Sequence, residues 1–109
     1  MEDERGELDV PVDVEGSSAI IRPDGELDIA TVSLLERALE RAAKLTNGRV
    51  VLDLQGLGFM DCSGLEAILR AREALGERFI LRAGTRRVHR VIELAQLEEP
   101  LPFEGGSGA

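Results

Sequence analysis

A chain of 109 residues, 43% apolar and 31% charged, has the length and composition of one soluble domain with one core. Its net charge of −8 works against nucleic-acid and anionic-membrane partners, and with no Trp or Tyr it lacks the stacking platforms that single-stranded nucleic acids use. A lone cysteine, Cys62, excludes an internal disulfide and disfavours a thiolate metal cage; with no signal peptide or membrane-spanning run, the expected setting is the cytoplasm.

Residues 1–7 are polar and are expected to form a flexible N-terminus. Leu8, Val10, Val12 and Val14 then alternate with Asp9, Pro11 and Asp13, a period of two that predicts a half-buried strand. Pro11 cannot donate to a ladder, which confines that strand to an edge. Gly16-Ser17-Ser18 makes a turn, and Ala19-Ile20-Ile21-Arg22 returns as an antiparallel partner. Pro23-Asp24-Gly25 has turn chemistry. Asp28 is an N-cap candidate for the first long helix, with Ile29, Val32, Leu35, Leu39, Ala42 and Leu45 on its apolar face and Glu36, Arg37, Glu40, Arg41 and Lys44 opposite. Asn47-Gly48 stops it.

Val50 to Leu54 is apolar but for Asp53, the mark of a strand covered on both faces in a parallel sheet. Gly56 and Gly58 loosen the loop that follows. Its apolar residues Leu57, Phe59 and Met60 either fold back into the core or form a small docking patch. A second helix carries Leu65, Ile68, Leu69, Arg72 and Leu75 at helical spacing and stops at Gly76. Arg78 to Arg82 reads as a strand, and Thr85 can cap a third helix with Val88, Val91, Ile92 and Ala95 inward. Pro100 and Pro102 bracket a short extended end near Phe103, and residues 104–109 read as a flexible tail. The order β-β-α-β-α-β-α predicts an α/β fold over residues 8–103. Its sheet is mixed and mostly parallel, of four to five strands, with an N-terminal antiparallel pair and three or four helices packed on it.

The charge is unevenly placed. Residues 1–28 hold ten acids and two arginines, while beyond them acids and bases balance at eleven each. Asp61 and Ser63 fall where a buried strand hands over to a helix, at the carboxyl end of the sheet where α/β proteins form sites. A helix start also suits an anionic group. Ser63-Gly64-Leu65-Glu66 fits a capping box, with Ser63 as N-cap. The same serine is a candidate for phosphorylation, with Gly64 clearing space for a visiting enzyme. Asp61 is either a base toward that hydroxyl or a cap, and Asp28 also follows a strand and starts a helix. Cys62 reads as a small filler rather than a nucleophile. His89, among Arg86, Arg87 and Arg90, reads as part of a solvated helix face. A Ser-His-Asp hydrolase lacks its Gly-x-Ser-x-Gly elbow here, and no Walker motif is present, so neither an enzyme nor an ATP site is expected.

Gly25-Glu26-Leu27-Asp28, Val51-Leu52-Asp53-Leu54 and above all Phe59-Met60-Asp61-Cys62-Ser63-Gly64-Leu65 resemble STAS domains, and within them the bacterial anti-sigma factor antagonists. The last stretch is similar to that family's phosphorylation loop, in which Asp, a small residue, Ser or Thr, Gly and Leu follow in order; Cys62 departs from the usual Ser, Thr or Ala. The resemblance implies a non-enzymatic switch. The unmodified protein binds an anti-sigma factor that is also a serine kinase and so frees a sigma factor. Phosphorylation then ends the complex, and a serine phosphatase of the metal-dependent type resets it. Carried over, Ser63 is the phosphoacceptor, and Asp28, Phe59, Met60, Asp61, Cys62 and Gly64 form the partner-binding surface. The resemblance calls for no cofactor, nucleic acid or membrane, and for a monomer or weak dimer. The same family also implies an alternative: an unphosphorylated subunit of a transport complex, such as the lipid-transport type, or of a signalling scaffold. Low Lys and high Arg, Ala and Gly usage point to a GC-rich bacterial genome.

Overall fold

A computed structural model describes residues 7–105; the expected flexible ends, residues 1–7 and 104–109, lie for the most part outside that range. In chain order the elements are β1 (Leu8–Asp9), β2 (Val12–Glu15), β3 (Ser18–Ile21), β4 (Asp24–Leu27), α1 (Val32–Leu45), β5 (Val50–Asp53), β6 (Leu57–Met60), α2 (Cys62–Leu75), a 3-10 turn (Gly76–Arg78), β7 (Phe79–Arg82) and α3 (Arg86–Leu94). The α/β class and the mixed, mostly parallel sheet hold. The strands, however, divide into a four-stranded sheet ordered β2-β3-β5-β7 and a three-stranded sheet ordered β1-β4-β6.

The second sheet arises because two extended segments break and resume, and β6 then joins it beside β4. Leu8–Val14, expected as one strand, splits at Val10-Pro11, and the return strand splits at Arg22-Pro23. Proline has no N–H for a ladder, so each break falls where a donor is missing. Arg22 N still donates to Pro11 O at 3.0 Å, which holds the two breaks beside each other. Both halves of the N-terminal segment are edge strands, as Pro11 required.

Pro23-Asp24-Gly25 is therefore not a simple turn. Asp24–Leu27 pairs antiparallel with β1 and parallel with β6, with a register shift between Gly25 and Glu26. Gly25 makes this possible: its φ is +129°, and a side chain there would run into the Glu7 carbonyl. Likewise Leu57–Met60 is a strand and not a loop. Leu57 and Met60 are fully buried, so these two fold back into the core.

β5 pairs in parallel with β3 and β7, as its unbroken apolar run predicted. Leu35, Ala38, Leu39 and Ala42 of α1 and Leu65, Ala67, Ile68 and Ala71 of α2 close over the sheet with Ile21, Val50, Leu52, Phe79 and Leu81 in one cluster. The expected apolar face of α1 is shorter at both ends, because Ile29 precedes the helix and Leu45 is exposed. Arg78 closes the C-terminus of α1: its guanidinium donates to the carbonyls of Thr46 at 2.7 Å, Gly48 at 2.9 Å and Ala43 at 3.3 Å. The extended end bridges β7 in parallel through Leu81 and Phe103. Among the described residues no helix is long and apolar enough to cross a membrane.

Candidate functional site

The site is built on the parallel pair β4–β6. Leu27 and Met60 are register partners, and Asp61 N extends the ladder by donating to Leu27 O at 3.1 Å. Asp28 and Asp61 thus leave neighbouring strands side by side, each opening the turn that starts a helix. The two rim loops, 28–31 and 61–64, are set by this one pairing.

In the second loop Asp61, not Ser63, is the N-cap of α2. Its Oδ1 accepts from Ser63 N at 2.9 Å and Gly64 N at 3.3 Å. Ser63 is accordingly the second residue of the first turn, and the capping-box expectation shifts upstream by two residues. The reason is the strand: β6 runs to Met60, so the chain turns at Asp61. One carboxylate oxygen holds both amides, so Asp61 is the cap of α2.

Ser63 is half-buried. Its Oγ bonds to no described residue, and no buried side-chain oxygen is left without a partner there, so the hydroxyl opens to solvent. Cys62 beside it is exposed rather than a filler. Gly64 has a different role from the clearance expected of it. It is buried, and a Cβ there would meet Leu27 Cγ and Met60 Cγ at 2.7 Å each. The glycine lets the start of α2 lie directly on β4 and β6. Gly64 and Met60, 1% exposed, therefore support the rim from inside and present no side chain to a partner.

The first loop is fixed by a residue the sequence did not flag. Thr31 is 5% exposed; its Oγ1 donates to Glu26 O at 2.8 Å and accepts from Asp28 N at 3.0 Å. Asp28 Oδ1 in turn accepts from Ala30 N at 2.9 Å and Thr31 N at 3.1 Å. Asp28 is thus an Asx cap over residues 28–31, while Thr31 stands at the N-cap of α1 itself. Helix and cap were displaced because the Asp28 turn comes first. This turn throws Ile29 outward, 72% exposed, away from the core face predicted for it. Phe59 is 39% exposed on β6, so the rim carries two apolar side chains around its carboxylates. A threonine three residues after an aspartate was the available sign of the turn.

His89 is not part of this site, nor of a solvated face. Its Nε2 accepts from Gly84 N at 2.9 Å, and its ring packs 5.0 Å from that of Phe103. The imidazole lone pair is engaged, which leaves none for a serine hydroxyl. Among the described residues no group of three His, Cys, Asp or Glu side chains is placed to hold a metal ion.

The family model described as STAS domain matches residues 9–105. The crystal structure of an anti-sigma factor antagonist from Mycobacterium paratuberculosis superposes with a TM-score of 0.79 at 24% identity, over 91% of this chain and 86% of that one. The anti-sigma factor antagonist SpoIIAA in its unphosphorylated form superposes with a TM-score of 0.67 at 24% identity, over 88% of this chain and 86% of that one. These likenesses establish the fold.

Proposed function

The chain belongs to the STAS domain family, and from that membership we propose that it is an anti-sigma factor antagonist, switched off by phosphorylation of Ser63. The observation that carries the proposal is the Ser63 hydroxyl, which faces solvent on the first turn of α2. The neighbouring loop carries Asp28 and exposed Ile29, and β6, which leads into the serine's turn, carries exposed Phe59. In this reading Asp28, Ile29, Phe59, Asp61 and Cys62 meet an anti-sigma factor that is also a serine kinase. The bound factor then releases its sigma factor. The kinase transfers a phosphoryl group from ATP to Ser63 Oγ, the hydroxyl proton leaves, and ADP departs.

Phosphoserine brings about two negative charges and three acceptor oxygens. The nearest amides, those of Ser63 and Gly64, are already held by Asp61 Oδ1. The phosphate is therefore not drawn in as a new cap and stays at the surface, beside the two rim aspartates. A desolvated double charge in a tight interface costs more than the few kcal/mol that separate bound from free. The complex dissociates without refolding, and a metal-dependent serine phosphatase returns the hydroxyl.

The test is to incubate the protein with ATP and an anti-sigma factor serine kinase, then map the mass change by peptide. Phosphate on Ser63, with loss of the complex, is the expected result. A stable complex that never takes label would move the protein to the other class in the family, an unphosphorylated docking subunit.

A further inference from the structure

The outer face of α3 is a second charged surface, away from the serine. Arg86, Arg90 and Leu94 follow one another at intervals of four, with Arg87 beside them, so the four share one side of the helix. All three arginines are exposed, and Leu94 is 73% exposed. The opposite side carries buried Val88 and half-buried Val91 and Ile92, and α3 packs along β6. None of the three guanidiniums makes an ion pair or hydrogen bond: the arginine ion pairs among the described residues belong to Arg22, Arg70 and Arg82.

This order of charge opposes the helix. Arg86 and Arg87 sit in the first turn, which contains no acid, and the last turn contains no base. Cations at a helix N-terminus meet the positive end of the dipole, and like charges at i and i+4 repel. Glu93, three residues after Arg90, is the one acid on that side of α3, and the two arginines of the first turn lie where the dipole does not favour them. A stripe so placed calls for a role outside the fold.

We propose that the Arg86-Arg87-Arg90-Leu94 face docks an acidic polypeptide segment of a partner protein. The guanidiniums supply bidentate sites for carboxylates, and Leu94 receives one apolar side chain. The exposed leucine favours a peptide over a bare anion. The chain's charge of −8 weakens the approach of any anionic partner at long range, so docking rests on the local guanidiniums and on Leu94. The surface is distinct from the Ser63 rim and stands whether or not that serine is modified.

The probe is a fluorescently labelled synthetic peptide with Glu on one helical face and Leu on the other, titrated against the full chain by anisotropy at low and high salt. The parent should bind, more weakly as salt rises. Loss of two exposed charge pairs should weaken binding about tenfold or more in the R86E/R90E variant. L94A should weaken it at all salts, and Ser63→Glu should leave it unchanged. R86Q/R90Q, which removes the two charges without reversing them, should weaken binding by less than R86E/R90E does. No binding by the parent, parental affinity in R86E/R90E, loss of the peptide in Ser63→Glu, or equal binding of a DNA duplex would each overturn the proposal.

Discussion

The Asp61 carboxylate holds the amide of Ser63, at 2.9 Å, and not its hydroxyl. The aspartate of the rim is therefore a local scaffold for the serine's backbone, and its removal acts first on the fold. Asp61→Ala is expected to lose about 1 kcal/mol of stability, the usual cost of a lost N-cap. Asp61→Asn keeps a capping oxygen and should recover most of it. Urea denaturation of the three proteins measures this; an Asp61→Ala variant as stable as the parent would mean the cap contributes nothing.

Charge at position 63 can be set without a kinase. Ser63→Glu places a carboxylate in the first turn of α2, where the dipole favours it. It should fold with stability within about 0.5 kcal/mol of the parent. Ser63→Ala should bind the anti-sigma factor as the parent does and accept no phosphate, whereas Ser63→Glu should bind it at least about tenfold more weakly, a difference of about 1.4 kcal/mol. Calorimetric titration separates them. Parental affinity in Ser63→Glu would remove charge exclusion as the mechanism.

Gly64→Ala adds a methyl group 2.7 Å from carbons of Leu27 and Met60. Both neighbours are core residues with no free space, so helix and strand must separate. A loss of about 1 to 3 kcal/mol is expected despite alanine's better helix propensity. A denaturant midpoint equal to the parent's would show that the two side chains yield without cost.

Thr31→Val keeps the shape of the side chain and removes its hydroxyl. Glu26 O loses its donor and Asp28 N its acceptor in a nearly sealed place. The cost should be about 1 to 3 kcal/mol. Amide hydrogen exchange should quicken at Asp28 and Thr31 before it does at β5. Uniform protection in the two proteins would show that the loop does not depend on this hydroxyl.

Much of this architecture could be read from spacing. The alternation from Leu8 to Val14, the apolar run Val50–Leu54 and the helical period after Leu65 all name elements that form. Thr85 caps α3 as expected, with Oγ1 accepting from Val88 N at 3.4 Å. What spacing missed are features fixed by distant residues. Asp24–Leu27 looks like a turn because Pro23 and Gly25 surround it, yet β1 and β6 on either side make it a strand. Leu57–Met60 contains a glycine and follows another, and only its parallel pairing with β4 identifies it. The two caps shift in opposite directions: the Asp28 turn delays α1 to Thr31, and the end of β6 at Met60 brings the cap of α2 forward to Asp61.

The serine's place where a strand hands over to a helix was legible from its short motif, but its surroundings were not. Exposed Ile29 looked like a helix core position, and His89 looked solvated because three arginines surround it. The burial of Thr31 needed the Asp28 turn, which no periodicity announces.

Because one rung between Leu27 and Met60 aligns both loops, the surface they make is absent from any chain in which that rung is open. The partners are 33 positions apart, with all of α1 and β5 between them. A ribosome-bound or half-denatured copy carries every residue of the motif and still offers nothing for a visitor that reads both loops together. Recognition of this rim is in that sense an assay of completed folding.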